Sequence, residues 1–156
     1  NDKLILQTSQ NKIKFTLGKI NLISKVIDGK FPDYQKVVPK ENSKTLVVSS
    51  EEFINSVERV ASVSIDRKEG VKLELSRDKL KLSVNSTNSG DGNEVISVKY
   101  SGDDLAIGFN SKYLIDIASE IQDKNLTFNL KDSTSPVLVL DNADKNSFYV
   151  IMPMKI

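Results

Sequence analysis

The stretch Leu46-Val47-Val48-Ser49-Ser50-Glu51-Glu52-Phe53-Ile54-Asn55-Ser56-Val57-Glu58-Arg59-Val60-Ala61 reads as a short apolar strand that turns directly into an amphipathic helix. Ser49 with Glu52 three residues on forms a capping box, which gives the first unpaired helical N–H groups a partner. Phe53, Ile54, Val57, Val60 and Ala61 then share one helix face, and Asn55, Arg59 and Ser62 form a polar stripe on the other. A helix with a single apolar face must bury it against a second layer, so sheet has to follow.

Downstream, the alternation of apolar and polar residues predicts strands at 71–75, 80–84 and 95–100, with Arg77-Asp78 as a tight connection and 85–93 as a long polar loop. The same order then returns. Residues 105–109 read as a strand and Asn110 as a helix N-cap. Leu114, Ile117, Ala118 and Ile121 recur on one helix face, while Lys112, Asp116 and Ser119 lie elsewhere on its surface. Three strands close the unit at 126–130, 137–140 and 148–152. In the first of these Leu126, Phe128 and Leu130 point one way, and Thr127, Asn129 and Lys131 the other. The duplication lies in element order and not in residue identity, and it predicts an α+β domain of two strand-helix-strand-strand-strand halves.

The first 30 residues break this order. Strands are predicted at 4–7, 13–17 and 20–27, with turns at Ser9-Gln10-Asn11 and Gly18-Lys19, but no strand and helix precede them. Three strands with nothing over their apolar face are poorly self-sufficient, so residues 1–30 are expected to be half of a domain belonging to a longer protein. Residues 31–38 are the expected linker, punctuated by Pro32 after Gly29, and 39–156 the complete domain.

Composition works mainly by exclusion. With no Cys and no His in 156 residues, thiol and imidazole nucleophiles, the Ser-His-Asp triad, Cys/His zinc sites and disulfides are ruled out. No run is long enough to span a membrane and Asn1-Asp2-Lys3-Leu4 has no signal-peptide pattern, so a cytoplasmic protein without membrane contact is expected. The net charge of +1 hides an asymmetry: nine Lys against four acids up to residue 45, a balance of +5, and −4 thereafter. Those Lys are spaced singly along strands, as on solvated faces, and do not by themselves call for a polyanion. The end of the chain is less ordinary. Ser147-Phe148-Tyr149-Val150-Ile151-Met152-Pro153-Met154-Lys155-Ile156 carries two Met, a Pro and an Ile where a polar, frayed end is usual, and Met offers adaptable contact surface.

Phe31-Pro32-Asp33-Tyr34, preceded by residues 22–30 and followed by Val37-Val38-Pro39, resembles the inter-domain segment of the bacterial sliding clamp family, the beta subunit of DNA polymerase III. Tyr100-Ser101-Gly102, Ile107-Gly108-Phe109-Asn110, Tyr113-Leu114-Ile115-Asp116 and Tyr149-Val150-Ile151-Met152-Pro153-Met154 are similar to that family in order and spacing. The resemblance implies a DNA-clamp fold, with this chain holding the last half of a middle domain and all of the third domain. It also implies a non-catalytic processivity factor without cofactor. Such proteins are homodimeric rings around duplex DNA, opened by a clamp loader, and they dock polymerase subunits, the loader and repair proteins through short linear peptides.

Carried over position by position, the peptide groove would comprise Pro32, Lys36 and Val37, Asn110 and Tyr113, Thr134 and Pro136, and the tail residues Val150, Ile151, Met152, Pro153, Met154, Lys155 and Ile156. Lys36 and Lys155 stand where the family often has Arg, which loses a bidentate donor, and Pro136 stands where a small polar residue can occur, which loses an N–H. The middle domain's share of the groove would lie before Asn1. The resemblance places the dimer contact at Ser62, Val63, Asp91 and Glu94, with Ser62 less apolar than is frequent there. It places DNA-facing groups at Asn55, Arg59 and Lys112, among the acids Glu51, Glu58, Asp116 and Glu120, so each phosphate contact would be weak.

The alternative from the residues alone is a carboxylate-based metal enzyme using Asp103-Asp104 or Asp141 and Asp144, or a purely structural domain. Those acids sit in turn-like segments where Asp is ordinary and lack calcium-loop spacing. Excess Mg2+ or Ca2+ is therefore expected to leave the midpoint of thermal unfolding unchanged. A specific upward shift would support the metal-enzyme alternative.

Overall fold

The computed structural model describes residues 3–31, 33–63, 70–86 and 90–155. The chain divides into two compact units, Asn1–Asp33 and Tyr34–Ile156. The first is an antiparallel meander of β1 (Leu4–Thr8), β2 (Lys12–Leu17) and β3 (Ile20–Lys25). Leu4, Leu6, Leu22 and Ile23 of this unit are all more than half exposed.

The second unit holds β4 (Lys44–Ser49), α1 (Ser50–Ala61), β5 (Gly70–Ser76), β6 (Lys79–Ser86), β7 (Gly90–Ser97), β8 (Lys99–Tyr100), β9 (Leu105–Asn110), α2 (Ser111–Glu120), β10 (Asn125–Leu130), β11 (Val137–Asp141) and β12 (Phe148–Ile151). They form an α+β fold with two antiparallel sheets, ordered β12-β11-β10-β4-β8 and β7-β6-β5-β9. Each helix is preceded by a strand that joins the other half's sheet. β4 pairs with β10, Leu46 opposite Phe128, and β9 pairs with β5, Ile107 opposite Leu73. The predicted halves are thus exchanged at their first strands, and neither sheet is complete without both.

Local sequence explains both helix starts. Ser49 is extended (φ −60°, ψ 128°), and its hydroxyl accepts from the Glu52 N–H at 3.4 Å; Asn110 does the same for the Tyr113 N–H at 3.3 Å. Glu51 and Glu52 in the first turn of α1 and Arg59 in its last suit the helix dipole. The apolar faces of the helices meet one core, in which the rings of Phe53 on α1 and Phe128 on β10 lie 5.4 Å apart at 55°. The Ser50 N–H donates to Lys124 O at 2.9 Å, so the start of α1 is tied to the segment leaving α2.

That segment depends on a buried carboxylate. Asp141, 5% exposed, accepts the N–H groups of Gln122 at 2.8 Å, Asp123 at 3.3 Å and Ala143 at 2.9 Å. These donors, the Gln122 N–H first, hold its carboxyl below the usual Asp range.

Three expectations are corrected. Residues 85–86 and 90–93 of the expected long loop are strand: β6 runs to Ser86 and β7 begins at Gly90, with Asn85 opposite Asp91, while 87–89 lie outside the described residues. A ladder uses backbone groups, so polar side chains on an exposed hairpin do not prevent it. The strand expected at 95–100 is two strands on different sheets. The chain changes sheet at Val98, whose N–H donates to Asp78 O at 3.2 Å, while the Asp78 N–H donates to Tyr100 O at 3.0 Å. Asp78 takes φ 57° in the tight turn, a left-handed conformation that Asp tolerates. The strand expected at 20–27 ends at Lys25, after which the Val26 N–H bonds Asn11 O at 2.9 Å.

Phe53→Ala should cost about 3–5 kcal/mol in denaturant unfolding, since it removes a fully buried ring shared by both halves. Asp141 has a lower pKa folded than unfolded, so its contribution is present at neutral pH and is lost as pH falls below about 4, the unfolded Asp value, through the folded value. Asp141→Asn should lower the thermal midpoint at pH 7 by several degrees and flatten the loss of stability below pH 4; an unchanged acid limb would contradict this.

Candidate functional site

The tail crosses between the two sheets. β12 is an edge strand that ends at Ile151, and Pro153, without an N–H, cannot extend the ladder. The next donor, the Met154 N–H, bonds Gly108 O at 2.9 Å on β9, the edge of the other sheet. This crossing turns apolar side chains outward: Met152 is 63% and Met154 38% exposed. Ile151, expected in the groove wall, is instead a core residue at 4% exposure, paired with Val137. Strand alternation puts it on the opposite side from Val150 and Met152, which explains the correction.

Beside the tail is a cavity of about 480 Å³ lined by Lys72, Ala106, Ile107, Gly108, Ser133, Thr134, Pro153, Met154 and Lys155. It gathers four of the expected groove residues: Thr134, Pro153, Met154 and Lys155. Val37, Tyr113 and Met152 are exposed but do not line it. Tyr113 stands in the first turn of α2, 58% exposed, and the Asn110 side-chain oxygen is engaged in capping that turn. Lys36 and Val37 lie on and just after a 3-10 turn, Tyr34–Lys36, where the Tyr34 ring packs 6.5 Å from Phe148 on β12. Pro136 and Val150 are half-buried, and Pro32 and Ile156 lie outside the described residues.

Thr134 offers less than its hydroxyl suggests. Asp132 accepts the N–H and hydroxyl of Thr134 at 2.8 and 2.9 Å and those of Ser135 at 2.8 and 2.9 Å, which drives its carboxyl far below the usual range, with the Thr134 N–H the leading cause. Lys72, Ala106, Gly108 and Ser133 were not anticipated from sequence. One signal was there: Gly108 is a glycine inside a strand, where close backbone approach is a usual reason, and here the tail approaches it.

The residues expected at a dimer contact and at DNA separate. On β7, Gly92, Glu94 and Ile96 face α1 while Asp91, Asn93 and Val95 face outward, so Asp91 and Glu94 do not share a face. Glu94 is engaged within the chain. Its carboxylate accepts Arg59 Nε at 2.9 Å, Arg59 Nη2 at 2.5 Å and the Ser56 hydroxyl at 3.0 Å. Hydrogen bonding to Arg59 lowers the Glu94 pKa and raises that of Arg59. The guanidinium expected to face DNA is exposed, as Asn55 and Lys112 are, but it already has a carboxylate partner. The Ser62 hydroxyl donates to Arg59 O at 2.7 Å, and beside it β7 runs so close to α1 that a Cβ on Gly92 would meet Val60 O at 2.8 Å and Val63 Cγ2 at 3.2 Å.

Two of the four carboxylates of the enzyme alternative are occupied in local structure, while Asp103 is exposed, with Lys44 Nζ at 3.8 Å. Asp141 holds backbone N–H groups, as above, and Asp144 accepts the Asn146 N–H at 3.0 Å and the Ser147 hydroxyl at 2.5 Å. Among the described residues no three His, Cys, Asp or Glu side chains are grouped to hold a metal ion, and no helix is long and apolar enough to cross a membrane.

Residues 35–155 match the family described as DNA polymerase III beta subunit, C-terminal domain. The beta sliding clamp of Caulobacter vibrioides is 38% identical over 151 residues, which is 97% of this chain and 41% of that protein; that of Escherichia coli K12 is 34% identical over 153 residues, 98% and 42%. A DnaN sliding clamp from Bartonella birtlesii, solved bound to griselimycin, superposes with a TM-score of 0.88 at 39% identity, over 98% of this chain and 41% of that one. A second, from Pseudomonas aeruginosa and also bound to griselimycin, gives 0.84 at 35% identity over 98% and 42%. This chain spans about two-fifths of the length of the relatives it matches. With the exchanged-strand fold, the tail crossing and these likenesses in hand, the chain belongs to the DNA polymerase III beta subunit family of bacterial sliding clamps.

Proposed function

We propose that this chain is the partner-docking part of a non-catalytic DNA polymerase processivity factor that acts in the cytoplasm and encircles duplex DNA as a dimeric ring. Polymerase subunits, clamp loader and repair proteins would each present a short peptide to the tail. The observation that carries this reading is the crossing of the tail from β12 to β9, which exposes Met152 and Met154. Exposed Met and Tyr on a rigid frame suit apolar peptide side chains of several sequences. Residues 1–30 would complete a middle domain with polypeptide that precedes them, 31–38 would be the linker, and 39–156 the third domain.

In the ring, the open edge of β7, with Asp91 and Val95 outward, would receive the next protomer by strand pairing, with Ser62 and Val63 flanking it. Asn55 and Lys112 would face DNA. With Arg59 neutralised by Glu94 and acids nearby, contacts to phosphate would be few and weak, as sliding requires. Griselimycin, bound to two of the similar clamps, is a suitable probe for the docking surface.

Deleting residues 152–156 from the intact protein should reduce binding of griselimycin, and of a synthetic peptide with Gln followed by apolar residues, by more than about tenfold. Far-ultraviolet circular dichroism and the unfolding midpoint should stay near wild type, because the deletion starts after the last strand. Normal binding by the shortened protein would contradict the proposal.

A further inference from the structure

The loop 131–136 joins β10 to β11 and carries Ser133 and Thr134 into the cavity beside Pro153 and Met154. What holds this loop at the tail is only partly within the loop itself. Asp132 folds its tip by accepting from Thr134 and Ser135. The stems are a different matter: the β10–β11 register ends with Asn129 opposite Leu138, and Pro136 has no N–H with which to extend it.

Asn42, distant in sequence, bridges the two stems. Its side-chain nitrogen donates to Asn129 O at 2.8 Å and to Pro136 O at 2.9 Å, using both amide hydrogens. Other side chains here make exposed contacts, Thr45 Oγ1 to Asn129 Oδ1 at 3.3 Å, Lys44 Nζ to Lys131 O at 3.3 Å and Lys131 Nζ to Glu41 Oε2 at 2.7 Å, which contribute little. Each stem is held on its outer side by a ladder, Leu130 opposite Lys44 and Val137 opposite Ile151, and the half-buried Asn42 is the side chain that bonds both stems.

We propose that Asn42 is a positioning residue for partner docking: by bridging Asn129 O and Pro136 O it holds the loop wall formed by Ser133 and Thr134 at its working distance from the tail. The inference rests on the docking reading above. It assigns no contact between Asn42 and a partner. Asn42→Ala would let the stems separate, and Asn42→Asp, of the same size but without donors, would set a carboxylate against two carbonyls and act at least as strongly.

The test measures griselimycin affinity of the intact protein for wild type, Asn42→Ala, Asn42→Asp and Asp141→Asn. Asp141 lies at the far end of β11 and serves as a variant that lowers stability without touching the loop. Both Asn42 variants should bind about five- to tenfold more weakly, through faster dissociation, while Asp141→Asn stays within about twofold of wild type. The amide signals of Thr134 and Met154 should move in the unliganded Asn42→Ala protein and not in Asp141→Asn. Wild-type affinity in Asn42→Ala, or equal weakening in all three variants, would overturn the positioning role while leaving docking intact. Failure of the wild-type protein to bind would overturn the docking reading and this role with it.

Discussion

The exchange of first strands between the two halves is the constraint on which the rest of the second unit depends. β4 belongs by sequence to α1 but pairs with β10, and β9 precedes α2 but pairs with β5. Neither half can close its sheet alone, so both helices are drawn over one core in which Phe53 from the first half meets Phe128 from the second. The Asp141 carboxylate and the Ser50 N–H fasten the same junction with polar contacts, because the segment leaving α2 has backbone N–H groups that no helix or strand satisfies.

The site follows from this arrangement. The exchange leaves β12 as the edge of one sheet and β9 as the edge of the other. A chain leaving β12 reaches β9, where the Met154 N–H bonds Gly108 O. Pro153 enforces the departure from the first ladder, and alternation sends Ile151 inward and Met152 outward. Core strand and exposed surface are therefore consecutive roles of one segment. The backbone that carries these side chains is tied to β9, while Met152, 63% exposed, keeps the freedom of an unpacked side chain.

Much of this was legible in the residues. The caps Ser49 and Asn110, the spacing of Phe53, Val57 and Val60, and the alternation of Leu126, Phe128 and Leu130 report local geometry, and local geometry is what periodicity encodes. The exchange of strands was not legible, since β4 and β9 have the same apolar pattern whichever sheet they join. The ladder between Asn85 and Asp91 was missed because its side chains are polar while its bonds are made by backbone. In the site, the Met residues and Tyr113, which are exposed in the structure, are named from the resemblance. The Arg59–Glu94 pair, the Asp132 turn and the Asn42 bridge link residues whose proximity only tertiary structure supplies.

The most direct measurement of the central claim uses the methyl groups of Met152 and Met154, the only two methionines of this chain. In the intact protein, with both signals assigned by Met→Leu substitution, titration with griselimycin should shift both methyl resonances saturably and together with the ring signals of Tyr113. Saturable binding that leaves both methyl groups unmoved would place the docking surface elsewhere and contradict the account.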